Sequence, residues 1–207
     1  MGSPPVPREP LFLGKGRFEA FSDGVFAIAI TLLILEVRLP AGITGASAAR
    51  EQVSALVGIW PQYLVYAASF ATIGIMWVNH HALFDNVKRI THGIVVANLV
   101  LLGLIAFLPF TTEVLAQLGL SRPAVVYYGL TFFAISLGFN FLFQQVRAAH
   151  PEWPAPPFTW WNAVGLLAYP VATVAGYFAP IAGVGLIGLL AIFYLLPSNI
   201  RSVRVHS

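Results

Sequence analysis

Six apolar runs, each about twenty residues long or longer, follow one another along this chain, the first five separated by short polar segments and the last two nearly continuous. They occupy 17–38, 53–84, 91–117, 123–147, 158–179 and 180–198. A helix satisfies all of its own backbone N–H and C=O groups, so apolar runs held away from water become helices. Composition says what surrounds them. Of 207 residues, 58% are hydrophobic and 9% charged, whereas a soluble domain carries about 25% charged residues. With a mean hydropathy of +0.80, the chain lacks the polar surface to dissolve in water. The expected fold class is all-α, a polytopic membrane protein with six transmembrane helices.

The basic residues give the expected orientation. With a cytoplasmic N-terminus, the inner segments hold Arg8, Lys15, Arg17, Lys88, Arg89, Arg147, Arg201 and Arg204, and the outer segments hold Arg38, Arg50 and Arg122. An excess of Lys and Arg marks the cytoplasmic side, so both termini are expected there, in a cell membrane. This reading divides the chain into a cytoplasmic leader (1–16), a transmembrane domain (17–198) and a cytoplasmic tail (199–207). The pI near 9.5 then reflects topology and not nucleic-acid binding. The run after the leader is too long for a signal peptide and lacks a small-residue cleavage site, so the first helix is expected to stay. The absence of cysteine excludes disulfides and thiol catalysis.

Proline and glycine punctuate the runs. Leu108-Pro109-Phe110 should kink the third. The last two are nearly continuous, so Tyr177 to Gly185 must hold a tight turn, for which Pro180 and Gly183 are suited. Trp60, Trp153, Trp160 and Trp161 fit aromatic belts at the two interfaces. Gly176, Gly183, Gly185 and Gly188 suggest close helix packing. Gln144 and Gln145 are expected at an interface.

The unusual residues are Ser22 and Asp23, at the start of the first apolar run. An acid near membrane depth is costly and is generally paired and functional. Turned by ~100° per residue from Ile28 at zero, Thr31, Leu35 and Leu32 fall at roughly 300°, 340° and 40°, on one stripe. Ser22, Glu19 and Asp23 fall at roughly 120°, 180° and 220°, on the other side. One face is therefore apolar with a single threonine, and the other must be met by partners. The plain reading of the stripe is lipid or core contact, and that of Asp23 is a structural ion pair.

In the second run Trp77, His80 and Phe84 share a face, and one of His80 and His81 is expected to meet Asp23 or Ser22 across a helix interface. Adjacent histidines point ~100° apart, and a zinc helix wants ligands at i and i+4, so no metal site is expected. Asn98 and Asn140 read as interhelical hydrogen bonds. No nucleophile–base pair and no phosphate loop appears, so an enzyme and a resident cofactor are not expected.

Three strings carry a resemblance. Arg17-Phe-Glu-Ala-Phe-Ser22-Asp23-Gly-Val-Phe-Ala-Ile28-Ala-Ile-Thr31-Leu32-Leu-Ile-Leu35-Glu resembles the first helix of the transmembrane-protein-175 potassium channels. Trp77-x-x-His80-His81, and Asn98 followed by Phe107-Leu-Pro-Phe-Thr111, resemble the next two helices of that family. The match covers about the first half of the chain. The resemblance implies a six-helix unit forming a cation channel without a carbonyl filter. Animal members carry two such units and dimerise, whereas a single-unit chain is similar to bacterial and archaeal members that assemble as symmetric tetramers. It implies a pore lined by the first helix, with its constriction at Ile28 and further apolar rings at Leu32 and Leu35. It implies a hydroxyl layer at Thr31 that favours K+ in transit over Na+. A second hydroxyl of the animal channels falls on Ala27, which implies modest selectivity. It assigns Arg17, Ser22, Asp23, Trp77 and His80 to a structural network. The implied partners are three further copies, membrane lipid and potassium ions. Two other classes compete: a proton or small-solute transporter using Asp23 and His80, and a membrane enzyme or accessory subunit.

Overall fold

The computed structural model describes residues 14–153 and 160–195, with side chains for all of these except 160–165 and 192–195. Most of the leader, the whole tail 199–207, and Arg8, Arg201 and Arg204 lie outside the described residues, as do the side chains of Trp160 and Trp161. Among the described residues the regular structure is helical and no strand occurs. The helices are α1 (Lys15–Leu32), α2 (Ala49–Gly58), α3 (Trp60–Phe84), α4 (His92–Ala106), α5 (Leu108–Leu118), α6 (Arg122–Ala149), α7 (Trp160–Phe178) and α8 (Pro180–Leu195).

Proline sets several of these boundaries. Pro61, Pro109, Pro123 and Pro180 sit in the first turn of α3, α5, α6 and α8, where a missing N–H costs nothing. The run at 53–84, expected as one helix, is broken at Ile59, and its two parts are bent by 41°. Pro61 cannot donate to the carbonyl of Val57, so the ladder stops there and restarts. The run at 91–117 breaks at Phe107, where the expected kink falls, because Pro109 cannot donate to Ile105. The run at 17–38 is α-helical only to Leu32, then tightens into a 3-10 turn from Leu33 to Glu36, and is extended at Val37. Thr91 caps α4, its Oγ1 accepting from the Ile94 N–H at 3.4 Å. Gly119 ends α5 with φ 62°, a conformation that disfavours side chains.

The turn between α7 and α8 is tighter than expected, with Ala179 alone between them. Gly183 therefore lies inside α8, where a Cβ would overlap the Gly176 backbone. It serves close approach and not the turn.

α1 packs against α3, α4 and α5, while α6 packs against α4, α5, α7 and α8. Phe26, Leu33, Ile73, Phe84, Leu101, Ile105, Leu108 and Phe132 form the buried core between them. Three helical runs are long and apolar enough to cross a bilayer: Lys15–Glu36, His92–Leu118 and Arg122–Ala149. The bent pair α2 and α3 makes a fourth if taken as one span, and α7 and α8 contribute shorter apolar stretches, Leu166–Phe178 and Pro180–Ala191.

Candidate functional site

α1 presents two faces. Phe18, Ser22, Phe26, Ala29 and Leu33 recur at helical spacing and are buried against the bundle. The opposite face is uncovered among the described residues: Ile28 is 60% exposed, Leu32 40% and Leu35 63%, and Gly24, Ala27 and Thr31 beside them are exposed too. The four stripe residues Ile28, Thr31, Leu32 and Leu35 are thus all on the uncovered side. Thr31 Oγ1 donates its hydrogen to the Ile28 carbonyl at 3.0 Å. That bond leaves the oxygen's lone pairs free to meet a cation.

Behind this face lies a buried polar chain. His80 Nε2 donates to Asn98 Oδ1 at 2.7 Å, and Asn98 Nδ2 donates to Ser22 Oγ at 2.9 Å. Ser22 Oγ in turn donates to the Phe18 carbonyl at 3.0 Å. Each side chain is 2% exposed or less, and each polar group used has a partner, as burial requires. These bonds tie α3, α4 and α1 together. The His80 ring sits against Phe26 and Phe84, with centroids at 5.3 and 4.8 Å.

Asp23 is not part of this chain. Its Oδ1 accepts from Trp77 Nε1 at 2.8 Å, at the half-buried edge of the interface. The expected meeting of a histidine with Asp23 or Ser22 therefore takes another form. His80 reaches Ser22 through Asn98, and the tryptophan holds Asp23. The reason is geometric. Ser22 and Asp23 point ~100° apart on α1, so one faces α4 and the other faces the preceding turn of α3. Arg17 is exposed, and its side chain makes no hydrogen bond or ion pair among the described residues. His81 is exposed beside Asp85, with Nε2 and Oδ1 3.8 Å apart. Asn98 was legible as a lone polar residue in an apolar helix, but its place at the centre of the network was not. Asn140, read the same way, bonds the Ser136 carbonyl of its own helix. Gln145 lies against Gly93.

The charged residues separate to the two ends of the bundle. At one end Lys15 reaches the Asp85 carbonyl, the Lys88 N–H donates to His150 Nε2, and Arg89 donates to the Ala149 carbonyl. At the other end Arg38 joins the 3-10 turn to α3 and α5. Its N–H donates to Gln62 Oε1 at 2.8 Å, and its guanidinium lies 2.8 Å from Glu113 Oε1. Sequence reasoning passed over this second cluster. The signal was Glu113, an acid within an apolar run like Asp23.

The chain is similar to known proteins. Residues 17–109 match the family model described as "Endosomal/lysosomal potassium channel TMEM175". The chain is 38% identical to a protein of Chamaesiphon minutus named as a potassium channel, over 89% of this chain and 95% of that protein. It is also 38% identical to a potassium channel of Streptomyces collinus, over 87% and 91% of the two chains. The mouse endosomal/lysosomal proton channel TMEM175 is 40% identical over 49% of this chain, which is 21% of the mouse protein. Among solved structures, that of a lysosomal potassium-selective channel TMEM175 homolog from Chamaesiphon minutus superposes with a TM-score of 0.78 at 39% identity, covering 88% of this chain and 96% of that one. With two relatives matched over nearly their whole length, the chain belongs to the TMEM175 family.

Proposed function

We propose that this protein is a potassium-permeable cation channel, built as a symmetric tetramer of six-span chains with α1 of each copy on the axis. The observation that carries this reading is the uncovered face of α1. A helix whose one side is locked by a buried network, and whose other side is apolar and free, needs a partner for the free side. One copy of α1 cannot enclose a path, so rotational symmetry supplies the remaining walls. Relatives at 38% identity that are named as potassium channels support the ion.

In this arrangement Ile28 forms the constriction, with Leu32 and Leu35 as further rings. A narrow ring of branched side chains excludes water and blocks ions by dewetting. The Thr31 hydroxyls, already donating along the helix, turn their lone pairs toward the pore. They replace part of the hydration of K+, which gives up water more readily than Na+, so the channel is modestly selective for K+. Ser22, Asp23, Trp77 and His80, joined by Asn98, hold α1 against its own bundle and do not touch the ion, while Arg17, expected in the same network, stands outside it. The chain lies in a cell membrane with both termini in the cytoplasm. The basic end with Lys15, Lys88 and Arg89 is then the inner end, and α7 and α8 complete the six spans. The only small species the function requires is permeant K+, with no cofactor, and membrane lipid covers the outer surface.

A proton or small-solute transporter using Asp23 and His80 has less support. The two are not hydrogen-bonded to each other, and the buried chain from His80 ends on the Phe18 carbonyl.

The test is K+ flux from liposomes holding purified protein, with native mass spectrometry to count subunits. Ile28→Asn should wet the constriction and raise K+ leak. Unchanged or lower flux in a well-folded assembly would refute the constriction, and a monomer or dimer would refute the tetramer.

A further inference from the structure

The outer end of α1 is not held by the network around Ser22. Past Leu32 the helix tightens into the 3-10 turn that carries Leu35, and a 3-10 turn has weaker hydrogen-bond geometry than an α-helix. Something outside the turn must fix it. Arg38, two residues beyond, reaches three elements. Its backbone N–H donates to Gln62 Oε1 of α3 at 2.8 Å. Its guanidinium Nη2 lies 2.8 Å from Glu113 Oε1 of α5 and 3.6 Å from Glu36 Oε2 of the turn itself. Its Nε donates to the Leu35 carbonyl at 3.5 Å. Gln117 Nε2 donates to the same Glu113 oxygen at 2.7 Å and orients the carboxylate.

Building on the pore reading above, we propose that Arg38 and Glu113 form a clamp that positions the Leu35 ring at the outer mouth. They would thereby set ion flux through a residue at which neither of them is the pore lining. Both are positioning residues. The pair is partly open to water, at 59% and 22% side-chain exposure, so it adds little to folding. A pair of this kind is enough to shift a local two-state equilibrium about two- to fivefold. Releasing it should leave the assembly intact and free the turn, so the apolar ring wets more often.

The simple alternative is a charge field at the mouth, and the two ideas differ in sign. Removing a cation from the mouth raises cation flux, and removing an anion lowers it. The clamp requires both removals to raise it. The experiment is K+ flux from liposomes loaded with the purified full chain, compared at equal content of intact assembly by size exclusion. Arg38→Gln and Glu113→Gln should each raise flux about two- to fivefold, with the double variant no higher than either single. The reversed pair Arg38→Glu with Glu113→Arg should return flux toward the parent value. Opposite signs for the two singles, a fall in both, or no change in either overturns the clamp. Ile28→Asn in the same preparations separates the two claims. If Ile28→Asn raises flux while the outer variants do nothing, the pore reading stands and the clamp fails. If Ile28→Asn is silent, the pore reading itself has failed.

Discussion

Replacing Asn98 by leucine isolates what the buried network contributes. The two side chains are close in volume, so packing is kept while the amide is lost. Asn98 accepts from His80 Nε2 at 2.7 Å and donates to Ser22 Oγ at 2.9 Å. Ser22 suffers least, because its hydroxyl still donates to the Phe18 carbonyl. His80 suffers most, because its N–H is left in a cage of Phe26 and Phe84 with no acceptor. A buried donor left unpaired costs about 1–3 kcal/mol. The two lost interhelical bonds add about 0.6 kcal/mol each, so Asn98→Leu should destabilise by about 2–4 kcal/mol. His80→Phe strands the Asn98 carbonyl instead and should cost a similar amount. The double variant removes both partners, and an aromatic ring suits the cage. It should therefore cost clearly less than the two singles together, with a coupling of at least about 1 kcal/mol. Reversible unfolding in mixed detergent micelles, followed by tryptophan fluorescence, measures all three. If the singles add to within about 0.5 kcal/mol, the hydrogen bond is not the source of the effect and the argument is wrong.

Other outcomes follow from the same geometry. Thr31→Val keeps the shape of the stripe and removes the free lone pairs, so the K+/Na+ permeability ratio from bi-ionic reversal potentials should fall; an unchanged ratio would leave selectivity to the apolar rings. Asp23→Ala should lower thermal stability by about 1 kcal/mol, the range of a partly exposed hydrogen bond, and leave the permeability ratio alone. That loss should overlap with the loss from Trp77→Phe, which removes the same hydrogen bond, and should add to that from His80→Phe, which belongs to the other chain. A collapse of selectivity in a stable Asp23→Ala assembly would mean that this residue faces the ions.

The helical content of the chain was legible because apolar length and backbone satisfaction leave little choice. The two-faced character of α1 was legible because a 3.6-residue period places Ile28, Thr31, Leu32 and Leu35 on one stripe, whatever that stripe meets. The break at Phe107 was visible in Pro109. The break at Ile59 has the same cause in Pro61, but the apolar run continues through it, and apolar length alone reports no bend. Pairing between helices was not legible. Periodicity gives a side chain's direction from its own axis, and says nothing of which helix stands there or at what height. Ser22 and Asp23 are neighbours in sequence and were treated as one site, yet the ~100° between them sends them to different helices.

That separation bears on how such a helix works. Ser22 faces inward and is bonded to Asn98 of α4, so one side of α1 is fixed to the rest of its own chain. Asp23 fixes the same turn to α3 through Trp77. Arg38 fixes the far end to α3 and α5. Between these anchors, from Gly24 to Leu32, the exposed face makes no hydrogen bond to another element among the described residues; its one side-chain hydrogen bond, from Thr31, stays within the helix. Under the pore reading proposed above, a lining helix needs this division. Its position must be set firmly, or the constriction has no defined width. Its inner surface must also hold no bond strong enough to trap an ion or pull the ring aside. Polar anchors at the two ends, with apolar residues and one self-bonded threonine between, meet both requirements with the same eighteen-residue helix and the turn that follows it.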